Sequence, residues 1–400
     1  MDELHILVGQ ERAGTLLRQP NRYAFQYVEG YTGPRVFLAL PIRREPYTWD
    51  AFPPAFDGLL PEGVLLEQLL VRHKLDRTDK WGQLATVGRD LTGFVAVLPS
   101  DASEPPVGRV TPGQTIQYSK GIQPGEGALP YELADLVRFH STHGVRMSLS
   151  GVQPKVSAIF SRKEGQFRLV ETNGRFILKP SPQAFPGAAE SEAWTMALAR
   201  TAGLPVAPCG LIQTRDHHPV FWIERFDRVG QGNRGRLRVE DTCQLLGVPT
   251  TWKYPGNLET LARLSREVCS NPRLQLAGLF HRVLFHWLTG NSDMHLKNWS
   301  MVENGQLIEW SPVYDCLNTQ LLTDDPEESA LTLGDRKRGW DRALLVDFFG
   351  REVCRLNERM IRRTLNALGK AFNQPAAFSP KLRPDHLRLW SERWTALNGN

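Results

Sequence analysis

The chain has 400 residues, 41% of them hydrophobic and 23% charged, which is the composition of an ordinary folded protein and excludes disordered and fibrous classes. Its formal net charge of +5 comes without a dense block of Lys and Arg, so an acidic partner is compatible but not required. The sequence has no apolar run of membrane-spanning length, and its N-terminus lacks a signal-peptide core, so we expect a cytoplasmic protein without membrane contact. The five scattered cysteines form no CxxC pair, which predicts reduced thiols and no zinc site.

The first hundred residues predict a compact α+β unit. Short apolar runs bounded by turns predict strands at Leu4–Val8, Tyr23–Val28, Val36–Leu40 and Phe94–Leu98. A helical stretch with leucines on one face follows Pro61. Ser100–Gly113 is rich in Pro, Ser and Gly, so we interpret it as a linker.

A loop of small residues, Ser148 to Lys155, opens the next part of the chain and precedes a predicted strand at Val156–Phe160. Small residues let backbone N–H groups approach phosphate oxygens, but a loop with one glycine is by itself more typical of a plain turn between strands. Phe167–Glu171 and Arg175–Lys179 then predict a hairpin closed by an Asn-Gly turn.

Lys179 ends an apolar strand, where a lysine commonly packs its stem and extends its amine into water. In a kinase, a lysine at this place instead neutralises nucleotide phosphates and is held by a helix carboxylate. Such a helix is predicted at Ala188–Thr201, with Glu190 and Glu192 in its first turn. The order of strand, lysine, helix and glutamate therefore favours a kinase.

Two further strands, Gly210–Thr214 and Pro219–Ile223, lead into Glu224–Arg228, the predicted hinge where backbone groups would meet adenine. The remainder is mainly helical, since apolar residues recur at helical spacing. We predict helices at Leu258–Val268, Leu274–Leu288, Arg342–Phe349 and Glu358–Phe372.

The segment from Phe285 to Asp315 has the layout of a phosphotransferase catalytic segment. A helix ends at Gly290, a polar loop carries Asp293 and Asn298, and a hairpin around an Asn-Gly turn leads to Asp315. Phosphoryl transfer needs a carboxylate to deprotonate the attacking hydroxyl and hard oxygen ligands for Mg²⁺. Asp293 suits the first task, and Asn298 and Asp315 suit the second. Asp and Asn also make turns readily, so the spacing alone is a weak signal.

These features together resemble the HipA-like serine/threonine kinases, the toxins of bacterial type II toxin–antitoxin pairs. The resemblance covers nearly the whole chain and is carried by AFDGLLPEG (Ala55–Gly63), VGRDLTGFVAVLP (Val87–Pro99), SLSGVQPK (Ser148–Lys155), ILKP (Ile177–Pro180), IERFDR (Ile223–Arg228), EDTCQLLG (Glu240–Gly247), KY (Lys253-Tyr254), GNSDMHLKNWS (Gly290–Ser300) and YD (Tyr314-Asp315).

The resemblance implies an α+β protein with a bilobal protein-kinase-like fold. A small N-terminal α+β subdomain (1–105) would precede a β-rich N-lobe (106–230) and an all-helical C-lobe (231–400). The implied cofactors are ATP and Mg²⁺.

The resemblance also implies a role for each matching residue. Asp293 would be the catalytic base, Asn298 and Asp315 would hold Mg²⁺, and Lys179, supported by Glu192, would contact the ATP phosphates. The other implied nucleotide contacts are the loop Ser150, Gly151, Val152, Gln153, Pro154 and Lys155, the hinge residues Glu224 and Phe226, and His295, Lys297 and Tyr314 around the catalytic loop. Pro154 stands where some relatives carry Glu.

Family members phosphorylate themselves on a serine of the nucleotide loop, here Ser148 or Ser150, and phosphorylate aminoacyl-tRNA synthetases. Their usual partner is a small helix-turn-helix antitoxin (HipB-like) that represses the operon, so DNA contact would be mainly through the antitoxin. Two other classes stay open: a small-molecule phosphotransferase of the choline or aminoglycoside kinase type, and a non-catalytic co-repressor module.

Overall fold

The structure is a computed structural model that describes residues 2–102, 108–111, 113–143, 154–230, 234–323, 325–373 and 384–398. It combines helices and sheets, as the α+β prediction requires. Within these ranges no helix has both the length and the apolar character needed to cross a membrane.

The strands and helices are as follows in chain order. The strands are β1 (Glu3–Val8), β2 (Glu11–Gln19), β3 (Arg22–Tyr27), β4 (Tyr47–Trp49), β5 (Val95–Pro99), β6 (Val156–Ser161), β7 (Gln166–Leu169), β8 (Phe176–Pro180), β9 (Cys209–Gln213), β10 (Pro219–Glu224), β11 (Arg228–Val229), β12 (Gly235–Arg236), β13 (Val239–Asp241), β14 (Ser300–Asn304) and β15 (Leu307–Trp310). The α-helices are α1 (Pro54–Asp57), α2 (Gly63–His73), α3 (Lys80–Val87), α4 (Leu133–His143), α5 (Ala188–Thr201), α6 (Thr242–Leu246), α7 (Leu258–Glu267), α8 (Pro272–Thr289), α9 (Thr319–Thr323), α10 (Glu358–Phe372) and α11 (Pro384–Asn398), with a π-helix at Ala343–Val353.

The chain divides into two compact units. The first unit comprises Met1–Pro180, Ile212–Thr251 and Val302–Gln306, and the second comprises Ser181–Leu211, Trp252–Met301 and Leu307–Asn400. The predicted domain boundaries stay a prediction.

An antiparallel sheet in the order β4-β3-β2-β1-β5 organises the N-terminal part of the first unit. Side chains such as Ile6, Phe25 and Val97 alternate into one buried core, which gives the sheet its fixed register. Three of the four predicted strands are confirmed. Val36–Leu40 is not a strand: Val36, Phe37 and Leu40 are buried, but the backbone forms only an isolated bridge between Phe37 and Leu40.

A second sheet has the order β7-β6-β8-β10-β9. The predicted hairpin of β7 with β8 is wrong, because both strands pair with β6 and lie on opposite sides of it. The actual hairpin joins β6 to β7, and Gly165 at φ +68° closes its turn. Asn173, predicted as the turn residue, instead donates its backbone N–H to Asp90 at 2.6 Å.

A buried ionic cluster ties the segment between α3 and β5 to the two-stranded sheet β11-β12 within the first unit. Asp90 accepts hydrogen bonds from Arg228 and Arg236, each at 3.1 Å. Asp227 accepts two hydrogen bonds from Arg225, at 2.9 and 2.8 Å, and contacts Arg228. Each buried carboxylate therefore faces at least two guanidinium groups, as buried charges require.

The second unit is mainly helical. The bounds predicted for α5 and α10 are confirmed, and α8 begins after Asn271, whose side chain accepts from the backbone of Leu274. An indole stack between Trp194 of α5 and Trp390 of α11, at 4.3 Å, joins two of these helices. The prediction of an all-helical segment 231–400 is wrong in detail, since β12 to β15 also lie in it.

Candidate functional site

The catalytic segment predicted from sequence begins where α8 ends. Gly290 ends the helix at φ +71°, a left-handed conformation that favours glycine. A Cβ atom here would lie 2.7 Å from side-chain atoms of Asn318 and Leu389, so a larger residue would displace the packing. The chain therefore leaves α8 in a fixed direction and enters the polar loop at once.

Hydrogen bonds from the first two loop residues hold the loop to neighbouring segments of the second unit. Asn291 donates through Nδ2 to the carbonyl oxygen of Asp315 at 3.2 Å. Ser292 donates its backbone N–H to Thr319 at 2.7 Å and its hydroxyl to Asp325 at 2.9 Å. The loop is thus anchored immediately before Asp293.

Asp293 and Asn298 lie together because the loop folds back on itself. The backbone N–H of His295 donates to the carbonyl oxygen of Asp293 at 2.9 Å, and a 3₁₀ turn follows at Leu296–Asn298. Asn298 then donates through Nδ2 to the same Asp293 carbonyl at 2.7 Å. With its amide nitrogen used in this way, Asn298 keeps its Oδ1 available for another ligand.

The Asp293 carboxylate has an unusual electrostatic environment. Its side chain is exposed, yet the surrounding protein removes part of its water shell, and this desolvation raises its pKa to about 6. Lys253 and the hydroxyl of Tyr254 oppose the rise in pKa, whereas the negative charges of Asp315 and Asp325 add to it. A carboxylate whose pKa lies near neutrality is suited to general-base catalysis.

Asp315 lies close enough to raise the pKa of Asp293 and is held in a strained backbone conformation at φ +51°. Its neighbour Tyr314 lies 2.6 Å from the Ser300 hydroxyl and donates to the carbonyl oxygen of Lys297 at 2.9 Å. The structure thus brings Asp293, Asn298, Tyr314 and Asp315 together in one unit.

His295 and Lys297 of the same loop are both buried. Desolvation, assisted by the nearby charge of Lys253, lowers the pKa of His295 to about 3, so the imidazole is neutral at physiological pH. A neutral imidazole can donate one hydrogen bond and accept another, but it adds no positive charge to the site.

The nucleotide contacts predicted for the first unit are placed as follows. Lys179 on β8 is buried, with Nζ 5.6 Å from the centre of the Phe221 ring. The carbonyl oxygen of buried Lys155 lies 2.8 Å from Nδ1 of His140. Pro154 and Phe226 are half-buried.

Glu224 is completely buried, and its Oε1 accepts hydrogen bonds from Ser119 and from Arg175. Oε1 is therefore engaged within the first unit, whereas the buried Oε2 accepts no hydrogen bond from the described residues. Glu192, on α5 of the second unit, is also fully buried. Ser148, Ser150, Gly151, Val152 and Gln153 lie outside the described residues.

Tyr254 is a neighbour of the candidate base that reasoning from chemistry missed. Its hydroxyl donates to Oδ1 of Asp293 at 3.3 Å, and its ring meets that of His295 edge-on at 5.2 Å. In the sequence, Tyr254 is marked only by the Lys253-Tyr254 pair, one of the motifs that carry the family resemblance. That motif by itself implies no chemical role for the tyrosine. Because Tyr254 and Asp293 are 39 positions apart, only the fold shows the contact.

Two protein-family models match this chain. A family model described as the HipA-like C-terminal domain matches residues 147–375, and one described as the HipA N-terminal domain matches residues 4–98. The chain belongs to the HipA-like family. The resemblance stated from the sequence is thus confirmed, over both its N-terminal and C-terminal parts.

Individual relatives support the same family. The chain is 30% identical to a putative kinase, Y4mE, of Sinorhizobium fredii, covering 74% of this chain and 71% of that protein. It is 27% identical to the serine/threonine-protein kinase toxin HipA of Shewanella oneidensis, covering 70% and 65%. A solved complex of Shewanella oneidensis HipA, HipB and operator DNA contains a chain of similar fold, with TM-score 0.70, 21% identity and coverage of 99% and 96%.

Proposed function

We propose that this protein is an ATP- and Mg²⁺-dependent protein serine/threonine kinase that acts as the toxin of a toxin–antitoxin pair. The observation that carries the proposal is the Asp293 carboxylate, with its pKa raised to about 6, held in one loop with Asn298 and close to Asp315. Membership of a family whose relatives are named as kinases supports it.

Asp293 is the proposed general base. In the transfer, the oxygen of the acceptor hydroxyl bonds to the γ-phosphorus of ATP, ADP leaves, and the hydroxyl proton goes to Asp293. A pKa near 6 leaves the carboxylate mostly ionised at pH 7 and still basic enough to take the proton.

Asn298 and Asp315 are the proposed Mg²⁺ ligands, and their chemistry fits that ion. One amide oxygen and one carboxylate are hard ligands, and the Asn298 amide is already oriented by its bond to the Asp293 carbonyl. Among the described residues no three His, Cys, Asp or Glu side chains form a metal cage. Mg²⁺ commonly binds one or two protein oxygens and takes its other ligands from substrate phosphates and water, where it supplies compensating positive charge.

The remaining nucleotide assignments follow from the resemblance. Lys179 is proposed to contact the phosphates with support from Glu192, and the backbone at Glu224 and Phe226 to contact adenine. Residues Ser150 to Lys155 would cover the nucleotide, with His295, Lys297 and Tyr314 completing its contacts. A bilobal kinase-like arrangement is part of the same proposal.

The proposed partners also follow from the family. The complex of the similar HipA with HipB and operator DNA supports a helix-turn-helix antitoxin partner, with DNA contacted mainly through that antitoxin. We extend the proposal to a cytoplasmic location, to an aminoacyl-tRNA synthetase as substrate, and to autophosphorylation on Ser148 or Ser150.

The test is intact-mass and peptide mass spectrometry after incubation of dephosphorylated protein with Mg·ATP. We expect phosphate on the peptide that carries Ser148 and Ser150 in the wild type, and none in Asp293→Asn. Asp347→Asn, which removes an exposed carboxylate of the same unit, is the matched control and should behave as the wild type.

Transfer to choline or an aminoglycoside without transfer to protein would move the assignment to a small-molecule phosphotransferase. ATP binding without any transfer would favour a non-catalytic module.

A further inference from the structure

The short segment Trp252–Pro255 lies beside the candidate base and has no role in the function proposed above. Trp252 and Tyr254 are 57% and 45% exposed, which is unusual for two large aromatic side chains so close in sequence. Tyrosine and tryptophan exposed in this way are typical of surfaces that bind another protein segment.

This segment is fixed to the catalytic loop. The backbone N–H of Leu296 donates to the carbonyl oxygen of Lys253 at 3.0 Å, and the Lys253 amine lies 5.4 Å from the centre of the Tyr254 ring. Further along, Asn257 forms a parallel bridge with Thr332. At Gly256, an added Cβ would lie 3.1 Å from the Leu296 side chain, so glycine lets this segment approach the catalytic loop closely.

Tyr254 links the aromatic surface to the candidate base. Its hydroxyl donates to Oδ1 of Asp293, while its edge-on contact with His295 holds the ring in place. One carboxylate oxygen is thereby oriented by tyrosine. A hydroxyl that is to be deprotonated must come within hydrogen-bond distance of the same carboxylate.

We infer that Trp252 and Tyr254 form the acceptor-binding surface of the kinase, and that Tyr254 is also the positioning residue of Asp293. The occupant is a short segment of the phosphorylated protein that carries a large apolar side chain a few residues from its serine or threonine. A segment whose hydroxyl reaches Asp293 has a flanking residue beside Tyr254, because Tyr254 contacts that carboxylate. Exposed Trp252 lies two positions before Tyr254 in the same segment and extends this aromatic surface. This inference rests on the proposed kinase function and adds the substrate class.

The test is an array of peptides with one central serine and a single varied flanking position, incubated with labelled Mg·ATP. We expect the wild type to select Leu, Met, Phe or Trp at a fixed distance from the serine. Trp252→Ala should lose this selection and lower kcat/KM for the best peptide about tenfold, mainly through KM. Trp252→Phe should restore much of it.

Leu274→Ala is the matched control, since Leu274 is 60% exposed in the same unit. It lies in the first turn of α8, about 24 Å along the helix from Gly290. Its peptide selection should equal that of the wild type. Tyr254→Phe keeps the ring and removes the hydroxyl, so we expect kcat to fall about tenfold with KM within twofold.

Binding of a fluorescent ATP analogue separates this inference from the proposed function. If the wild type neither binds the analogue nor transfers phosphate, the proposed function fails and the inference falls with it. If the wild type binds and consumes ATP, the inference alone is overturned by phosphorylation without apolar selection, by selection that survives Trp252→Ala, or by transfer to no peptide. A change in self-association of Trp252→Ala in sedimentation velocity, with KM for the peptide unaltered, would make the surface a contact between copies and would also overturn it.

Discussion

Burial has opposite net results for the pKa of two buried aspartates in the first unit and of Asp293 in the second unit. In the first unit, burial alone would raise the pKa of Asp90 and Asp227, but the adjacent arginines outweigh it and hold both pKa values below the ordinary range. In the second unit, desolvation is the dominant influence on Asp293, and Lys253 with the Tyr254 hydroxyl offsets only part of it, so its pKa rises to about 6.

The difference indicates which carboxylates serve structure and which serve chemistry. A buried carboxylate that meets several guanidinium groups has a fixed charge and fixed position, and removal of either partner exposes an uncompensated charge. A carboxylate at the surface with weak compensation keeps a proton affinity that a reaction can use. The two groups should therefore respond differently to the same Asp-to-Asn change.

The largest expected effect is on activity at Asp293. Asp293→Asn removes the proposed base without changing side-chain size, so kcat for phosphoryl transfer should fall about 10² to 10⁴-fold. Thermal stability should stay equal or rise, because a desolvated charge is lost. Steady-state kinetics and a thermal melt, compared with those of Asp347→Asn, test this. Substantial residual activity would show that another group takes the proton.

The same change at Asp227 should act on stability instead. Asp227→Asn leaves Arg225 and Arg228 facing each other in a buried site without their shared carboxylate, and should destabilise the first unit by about 3–5 kcal/mol. Urea denaturation of Asp227→Asn measures the loss. The matched control is Glu164→Gln, which breaks an exposed pair with Arg168 and should leave the urea midpoint almost unchanged. Equal urea midpoints for Asp227→Asn and Glu164→Gln would show that Asp227 stabilises the fold no more than an exposed carboxylate does.

The sequence indicated that Asp293 and Asn298 lie close together, whereas it gave no sign of the ionic cluster of the first unit, for a physical reason. Asp293 and Asn298 are five positions apart in a loop between a periodic helix and an Asn-Gly turn, so local patterns place them. The contact between Arg228 and Asp90 spans 138 positions, and no local pattern reports it.

The same limit explains the errors in the fold. The bounds of α5 and α10 follow from helical spacing within one segment. Pairing of β8 with β6 rather than β7 depends on which strand the tertiary structure places between them. The turn signal at Asn173 was real, but its backbone N–H serves the ionic cluster.

A third prediction concerns two buried histidines of the second unit, whose pKa values are also shifted by desolvation. Desolvation, with a contribution from the nearby Arg282 charge, lowers the pKa of His281 to about 4 and of His286 to about 3. Both are neutral in the fold, whereas the unfolded chain binds protons below about pH 6.5. Stability should therefore fall as the pH decreases through about 6.5, with a slope that approaches about 1.4 kcal/mol per pH unit for each histidine at lower pH.

Urea midpoints between pH 7 and pH 5.5 measure that slope. His286→Asn removes one of the buried histidines and should reduce the slope in this interval, with the absolute stability at pH 7 as its reference. An unchanged slope would mean that His286 takes up its proton in the folded state as readily as in the unfolded chain.

The smallest expected effect concerns the proton affinity of Asp293 itself. If ionised Asp293 is the base, kcat/KM should fall about tenfold per pH unit below pH 6, well above the range of an ordinary aspartate. Because the Tyr254 hydroxyl lowers the pKa of Asp293, Tyr254→Phe should move this acidic limb to higher pH. Trp252→Phe serves as the control, since it keeps an aromatic ring and changes none of the charges and hydrogen bonds that act on the pKa of Asp293, so its limb should coincide with that of the wild type. An acidic limb near pH 4 in the wild type would mean that the pKa of Asp293 is not raised. Asp293 would then not differ from Asp90 and Asp227 in the way described above.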